Sequence, residues 1–237
     1  FPDDRSLKVD IGNSVDLVGI QNLIGDIKVT LGIDFMAYGL ASSYQGKRLQ
    51  IDALDGFFGG NATFSHKVNN TDDMKLRLRI IHNSAHLVDG SYNNDGTWKN
   101  NYLPVPYARD FIEPTFAYEI NKESYFTRFY VSPSYSMLVR PAILKRWSFN
   151  TGFELALNSL IGKTAQKSNN LYFAYQFSLI GVPAYAGNNN FMFGIKMGEY
   201  YNKGINLFLS YYTGMHYFSE YYVKKIDKFG IGFYIDF

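Results

Sequence analysis

Leu171-Tyr172-Phe173-Ala174-Tyr175-Gln176-Phe177-Ser178-Leu179 sets large apolar or aromatic side chains at every second position, with Tyr172, Ala174, Gln176 and Ser178 between them. A repeat of two is the repeat of a strand, whose successive side chains point to opposite faces. The pattern returns along the chain. Ile27, Val29, Leu31, Ile33 and Phe35 oppose Lys28, Thr30, Gly32 and Asp34. Trp147, Phe149, Phe153 and Leu155 oppose Ser148, Asn150, Gly152 and Glu154. Ile205, Leu207, Leu209 and Tyr211 alternate with Asn206, Phe208 and Ser210. Phe229, Ile231, Phe233, Ile235 and Phe237 alternate with Gly230, Gly232, Tyr234 and Asp236. No stretch has a convincing helical period.

Composition agrees with this reading. Twenty Tyr, twenty Phe and two Trp stand among 237 residues, yet the mean hydropathy is only −0.18. No window approaches the roughly 18 uninterrupted apolar residues of a transmembrane helix, which excludes helical membrane proteins. A net charge of +2 without a Lys/Arg cluster gives no electrostatic case for nucleic acid. The absence of cysteine removes disulfides, thiolate catalysis and Cys-based zinc sites. Phe1-Pro2-Asp3-Asp4 lacks the charged and apolar regions of a secretory leader, as expected of a mature or a cytosolic chain.

A soluble β-sandwich also alternates, but the apolar parity here is unusually pure and aromatic, as a lipid-facing surface requires. The other parity carries Lys28, Asp34, Arg77, Arg128, Glu154 and Lys196, as in a small polar lumen. The expected fold is all-β, a single antiparallel transmembrane β-barrel of about ten strands. These cover 24–39, 47–66, 74–87, 107–120, 124–138, 144–158, 169–183, 189–200, 204–215 and 222–237. Residues 1–23 form an N-terminal segment or extra strands, bringing twelve within range, and 24–237 form the barrel. Tight turns at Asn69–Asp73, Asn121–Glu123 and Tyr201–Gly204 belong to one side, the periplasm. The long connection 88–106 belongs outside, and 159–168 is a longer periplasmic turn. Both ends of the chain are expected in the periplasm.

One strand breaks the apolar rule. Met74, Leu76, Leu78 and Ile80 are followed at the same parity by His82, Ser84 and His86, while Lys75, Arg77, Arg79, Ile81 and Asn83 face the other way. Desolvating an ionisable or hydroxyl group on a lipid face costs energy that a function justifies. Residues i and i+2 of a strand lie about 6.5–7 Å apart on one face, so His82 is placed to act as general base for Ser84. A triad also needs a group that orients the imidazole and stabilises its charged form. On the next strand Phe116, Tyr118 and Ile120 set a parity that extends back to Ile112, Asp110 and Ala108, which makes Asp110 the orienter. A bulge at Pro114 would flip that parity towards Arg109 or Glu113, with Glu113 in reserve; His86 is a further reserve. A slip at Ile80-Ile81 would instead turn His82 inward as an ordinary lumen histidine. His66 and His216 read as solvated residues near a turn and in a loop. Asp89, Asp95 and Asp110, around one connection, are candidate oxygen ligands for Ca²⁺.

These residues also carry resemblances. Arg79-Ile80-Ile81-His82-Asn83-Ser84-Ala85-His86-Leu87-Val88-Asp89, with the later Tyr107-Ala108-Arg109-Asp110, resembles an uncharacterised bacterial "domain of unknown function" family with an H-x-S-S-H-L-G-D-E signature and a later Y-S-R-E. The likeness covers mainly 46–113, with Ala85, Val88, Gly90 and Asp110 departing from the family's Ser, Gly, Glu and Glu. The H-x-S unit on a lipid-facing strand is similar to outer-membrane phospholipase A and the lipid A 3-O-deacylase. That resemblance implies His82 as base, Ser84 as nucleophile and Asp110 or Glu113 as orienter. The phospholipase continues Ser-Asn-Gly where Ala85-His86 stand, a departure at its calcium-dependent oxyanion arrangement. The aromatic C-terminal ending resembles the signal read by the barrel assembly machinery of the bacterial outer membrane.

The expected function is therefore a lipid-facing serine esterase acting on phospholipid or lipopolysaccharide. Arg79, Arg109, a backbone N–H or a bound cation would serve its oxyanion. The alternative is a non-enzymatic structural or accessory barrel with outer-membrane protein partners, its polar patch a docking site. A pore is the weaker third option, because charged side chains inside ten strands leave little open lumen.

Overall fold

The computed structural model describes residues 6–21, 26–44, 48–87, 93, 95–98, 107–164, 167–200 and 202–236. The alternating segments form strands β1 (Ser6–Ile20), β2 (Lys28–Tyr44), β3 (Arg48–Lys67), β4 (Asp72–Leu87), β5 (Tyr107–Asn121) and β6 (Tyr125–Arg140). They continue as β7 (Trp147–Leu157), β8 (Lys163–Thr164), β9 (Lys167–Gly181), β10 (Tyr185–Met197), β11 (Gly204–Met215) and β12 (Lys225–Asp236). A single turn of 3-10 helix at Ser219–Tyr221 is the only helical element among the described residues.

Eleven of these strands pair with their sequence neighbours, all antiparallel, in one curled sheet. The two-residue β8 folds back on β9 and accounts for the longer turn at 159–168. Short turns at 68–71 and 122–124 share the end of the sheet where β10 meets β11, here the turn end. The opposite, loop end carries the 88–106 and 216–224 connections.

Among the described residues β1 pairs only with β2, and β12 only with β11. Eleven alternating strands is an odd number, so β1 and β12 both run from the loop end to the turn end. Ser6 and Asp236 therefore lie at opposite ends of the sheet. The first and last described residues of the sheet thus do not share one side, because the N-terminal stretch forms a single β1 where two strands would have restored the parity.

Two faces with opposite chemistry follow from the alternation. Outward-facing side chains are mostly exposed and apolar, reaching 72% for Phe229 and 83% for Ile231 on β12. Inside, charges sit close together in a low-dielectric space and pair. Arg77 meets Asp34, Arg79 meets Glu113 and Arg128 meets Glu154. Lys75 reaches Glu119 at 2.6 Å and Lys196 reaches Asp236 at 2.5 Å. Polar cavities of about 870 Å³ and 540 Å³ lie between these pairs.

The 216–224 connection folds inward at the loop end. Phe218 and Tyr221 pack on Leu40 and Ala53, and the Ser219 N–H donates to Asp55 Oδ2 at 2.9 Å. His216, expected to be solvated, is buried there. The Phe218 N–H donates to its Nδ1 at 3.1 Å, and Tyr217, Phe218 and Tyr221 surround the ring. Burial, and to a lesser degree the charges of Lys224 and Lys228, push its pKa down to about 4. His66 is exposed, as expected.

Candidate active site on the outer face

The outer-face parity of β4 continues without interruption past Ile80. β3 pairs Gly60 with Ile80, Phe58 with His82, Gly56 with Ser84 and Leu54 with His86. Since Phe58 and Leu54 point outward and are exposed, so do the three polar residues opposite them. Ile81 and Asn83 face inward and are buried, so the slip that would have turned His82 inward does not occur.

On the other flank, β4 and β5 pair in one unbroken register from Asp72–Ile120 to Ala85–Tyr107, which runs straight through Pro114. Asp110 is the residue opposite His82. Its Oδ1 lies 2.5 Å from His82 Nδ1, and both side chains are about 40% exposed on the outer surface. The Phe58 ring stands edge-on to the imidazole at 6.0 Å and limits its rotation. With Nδ1 engaged by a carboxylate, the proton belongs on Nδ1 and the lone pair on Nε2, the tautomer a general base requires.

Ser84 follows on the same face. No hydrogen bond joins its hydroxyl to His82 among the described residues, and the spacing along the strand leaves about 6.5–7 Å between the two side chains. In the resting structure the two side chains are therefore neighbours on one face and not hydrogen-bond partners. A Cβ placed on Gly56 would meet nothing nearer to it than Ser84, at 3.9 Å. The missing side chain thus leaves the hydroxyl accessible from that flank.

The reserve residues resolve clearly. Because Pro114 introduces no bulge between β4 and β5, Glu113 faces inward, buried, and pairs with Arg79. Arg109 also faces inward and donates to the Lys145 carbonyl at 2.8 Å. Neither can orient His82, and neither Arg79 nor Arg109 reaches an oxyanion on the outer face. His86 is exposed one step beyond Ser84, opposite Leu54.

Of the candidate calcium ligands, Asp89 lies outside the described residues. Asp95 accepts from the Thr97 N–H at 2.9 Å and hydroxyl at 2.6 Å, contacts that stabilise its ionised form and lower its pKa. Asp110 is engaged with His82. Among the described residues no group of three or more His, Cys, Asp or Glu is placed to hold a metal.

Phe58 and Gly56 were not identifiable as site residues in the sequence. They belong to the site through cross-strand register, which a single strand's alternation does not encode. Compared with known protein families, curated proteins and solved structures, the chain matches none.

Proposed function

We propose that the chain is an outer-membrane β-barrel whose lipid-facing surface carries a Ser-His-Asp esterase for acyl esters of phospholipid or lipid A. One observation carries the reading: a His82–Asp110 pair beside Ser84 on a largely apolar outer face. An ionisable pair at such a position is costly in lipid and is retained where it has a function. The exposed apolar outer face supports membrane insertion. So does the Tyr135–Trp147 pair, with ring centroids 5.0 Å apart near the loop end, where interfacial aromatics are expected. Long connections at that end favour the outer leaflet as the site's location.

In this mechanism Ser84 Oγ attacks the acyl carbonyl while His82 Nε2 accepts its proton. Asp110 holds the imidazole and stabilises its positive charge. The proton passes to the departing alkoxide, leaving acyl-Ser84. Water, activated by the same histidine, then releases the fatty acid and restores the hydroxyl. The oxyanion is served by a backbone N–H or by a bound cation. Substrate reaches the site by lateral diffusion in the bilayer.

Fatty-acid release from defined phospholipids and from lipopolysaccharide by the purified protein tests the proposal. Wild type should release acid, and Ser84→Ala and His82→Ala should lose about a thousandfold or more. Equal turnover by wild type and Ser84→Ala would overturn the esterase and leave a non-enzymatic accessory barrel.

A further inference from the structure

Ser84 lies in a transverse row of small side chains. Reading across the register, Ala37 opposes Gly56, Gly56 opposes Ser84 and Ser84 opposes Ala108. The row towards the turn end is bulky, formed by Phe35, Phe58, His82, Asp110 and Leu138. The difference makes a shallow trench across the outer face at the level of the nucleophile. It ends at Arg140, the residue opposite Ala108 on β6, which is exposed.

Arg140 owes that position to a β-bulge. β6 sends Phe129, Val131, Tyr135 and Met137 outward, so strict alternation would turn Arg140 inward. Between the pairs Asp110–Leu138 and Phe111–Ser136 the register shifts by one residue, and Met137 is the extra one. The shift brings Leu138 and Arg140 to the outer face beside Asp110 and Ala108. Bulges next to active sites commonly re-aim a side chain in this way.

Other arginines at this end are committed elsewhere. Arg109 donates to the Lys145 carbonyl and Arg146 to the Ser136 carbonyl at 2.9 Å. Arg140 has no ion pair with any described residue. Two strand spacings, about 9.6 Å, separate its Cα from that of Ser84, with only the Ala108 methyl between them. A guanidinium at that distance reaches back over Ala108, and its planar fork matches a phosphate bidentately.

We propose that Arg140 binds the phosphate of the lipid whose ester lies at Ser84, so that the substrates are phosphorylated acyl lipids and neutral glycerides are excluded. The inference rests on the esterase reading. In the trench the ester sits over the small residues beside His82, and the phosphate lies at the Arg140 end. Two lipids offer this chemistry, a phospholipid through its diester and lipid A through its phosphate monoester.

Binding and turnover are measured separately. In a Ser84→Ala background, binding is compared for nanodiscs carrying phosphatidylglycerol, lipid A or diacylglycerol, with Arg140 intact, Arg140→Ala and Arg140→Lys. Arg140→Ala should weaken binding of a phosphorylated lipid about tenfold, with partial recovery in Arg140→Lys and no change for diacylglycerol. Whichever phosphorylated lipid shows the loss is the source of the phosphate. With Ser84 present, the same substitution should raise KM for that lipid and leave kcat nearly unchanged. Unchanged binding in Arg140→Ala, or an equal loss for diacylglycerol, overturns the proposal. Failure of the esterase itself appears instead as turnover that survives Ser84→Ala, and the binding arm still reads Arg140.

Discussion

With Nδ1 of His82 tied to Asp110, the histidine has one tautomer and one ring orientation, and its basic nitrogen is free for Ser84. In the proposed esterase the carboxylate's second task is to stabilise the imidazolium formed when Ser84 loses its proton. Asp110→Asn keeps an acceptor for the Nδ1–H but removes that charge, and its amide can also rotate to favour the wrong tautomer. The expected result is a fall in kcat of about a hundredfold or more with KM little changed, and recovery of some activity at high pH, read from the pH–rate profile. Glu113→Gln, which alters an interior pair with Arg79, should not change the shape of that profile. His82, Ser84 and Asp110 were legible in the sequence because each departs from an apolar parity that periodicity alone defines. Arg140 was not, because a one-residue bulge reversed its face and bulges leave no mark in the alternation.

Single strands were legible for the same reason: a repeat of two survives any partner the strand acquires. Connections were less so, since their burial depends on what lies across the curled sheet. His216 illustrates this. Nothing around it in sequence announces that the β11–β12 connection turns inward to place Phe218 and Tyr221 on β2 and β3. Folded, its Nδ1 must stay unprotonated to accept from the Phe218 N–H, and its pKa lies near 4 against an ordinary value of 6.5. Between those values the unfolded connection binds a proton that the folded one refuses, so stability falls as pH drops from about 6.5 to 4 and is unaffected above that window. The loss reaches at most about 3 kcal/mol at the acid end. The hydrogen-exchange protection factors of 216–224, with the intrinsic rate at each pH divided out, should therefore fall on acidification from pH 7 to 4.5. In His216→Asn, whose side-chain oxygen can take over as acceptor without titrating, they should vary much less across that window.

For the whole molecule the deciding quantity is the parity of the strand count. Antiparallel barrels of the bacterial outer membrane close with an even number of strands, so that the first and last run in opposite directions. Here β1 and β12 run in the same direction, and among the described residues neither pairs with the other. Direct closure would set them parallel, a less stable pairing per residue. Closure that preserves the antiparallel pattern needs one more strand between them, running from the turn end to the loop end. The exposure of β1 on both faces, and of Phe229, Ile231 and Phe233 beyond most of their outward-facing counterparts, is what two uncovered edges produce. The chain contains no cysteine, so paired substitutions report on the seam without background. Leu209→Cys with Ile231→Cys joins partners on adjacent strands and should form a disulfide on oxidation in the folded protein. Val9→Cys, Ile11→Cys and Val15→Cys, each combined with Ile231→Cys, should stay reduced and alkylatable. An intervening strand would hold the two edges about 9.6 Å apart, beyond the roughly 7 Å that a disulfide spans between Cα atoms. A disulfide in any of the three would instead mean an eleven-stranded barrel closed by a parallel pair.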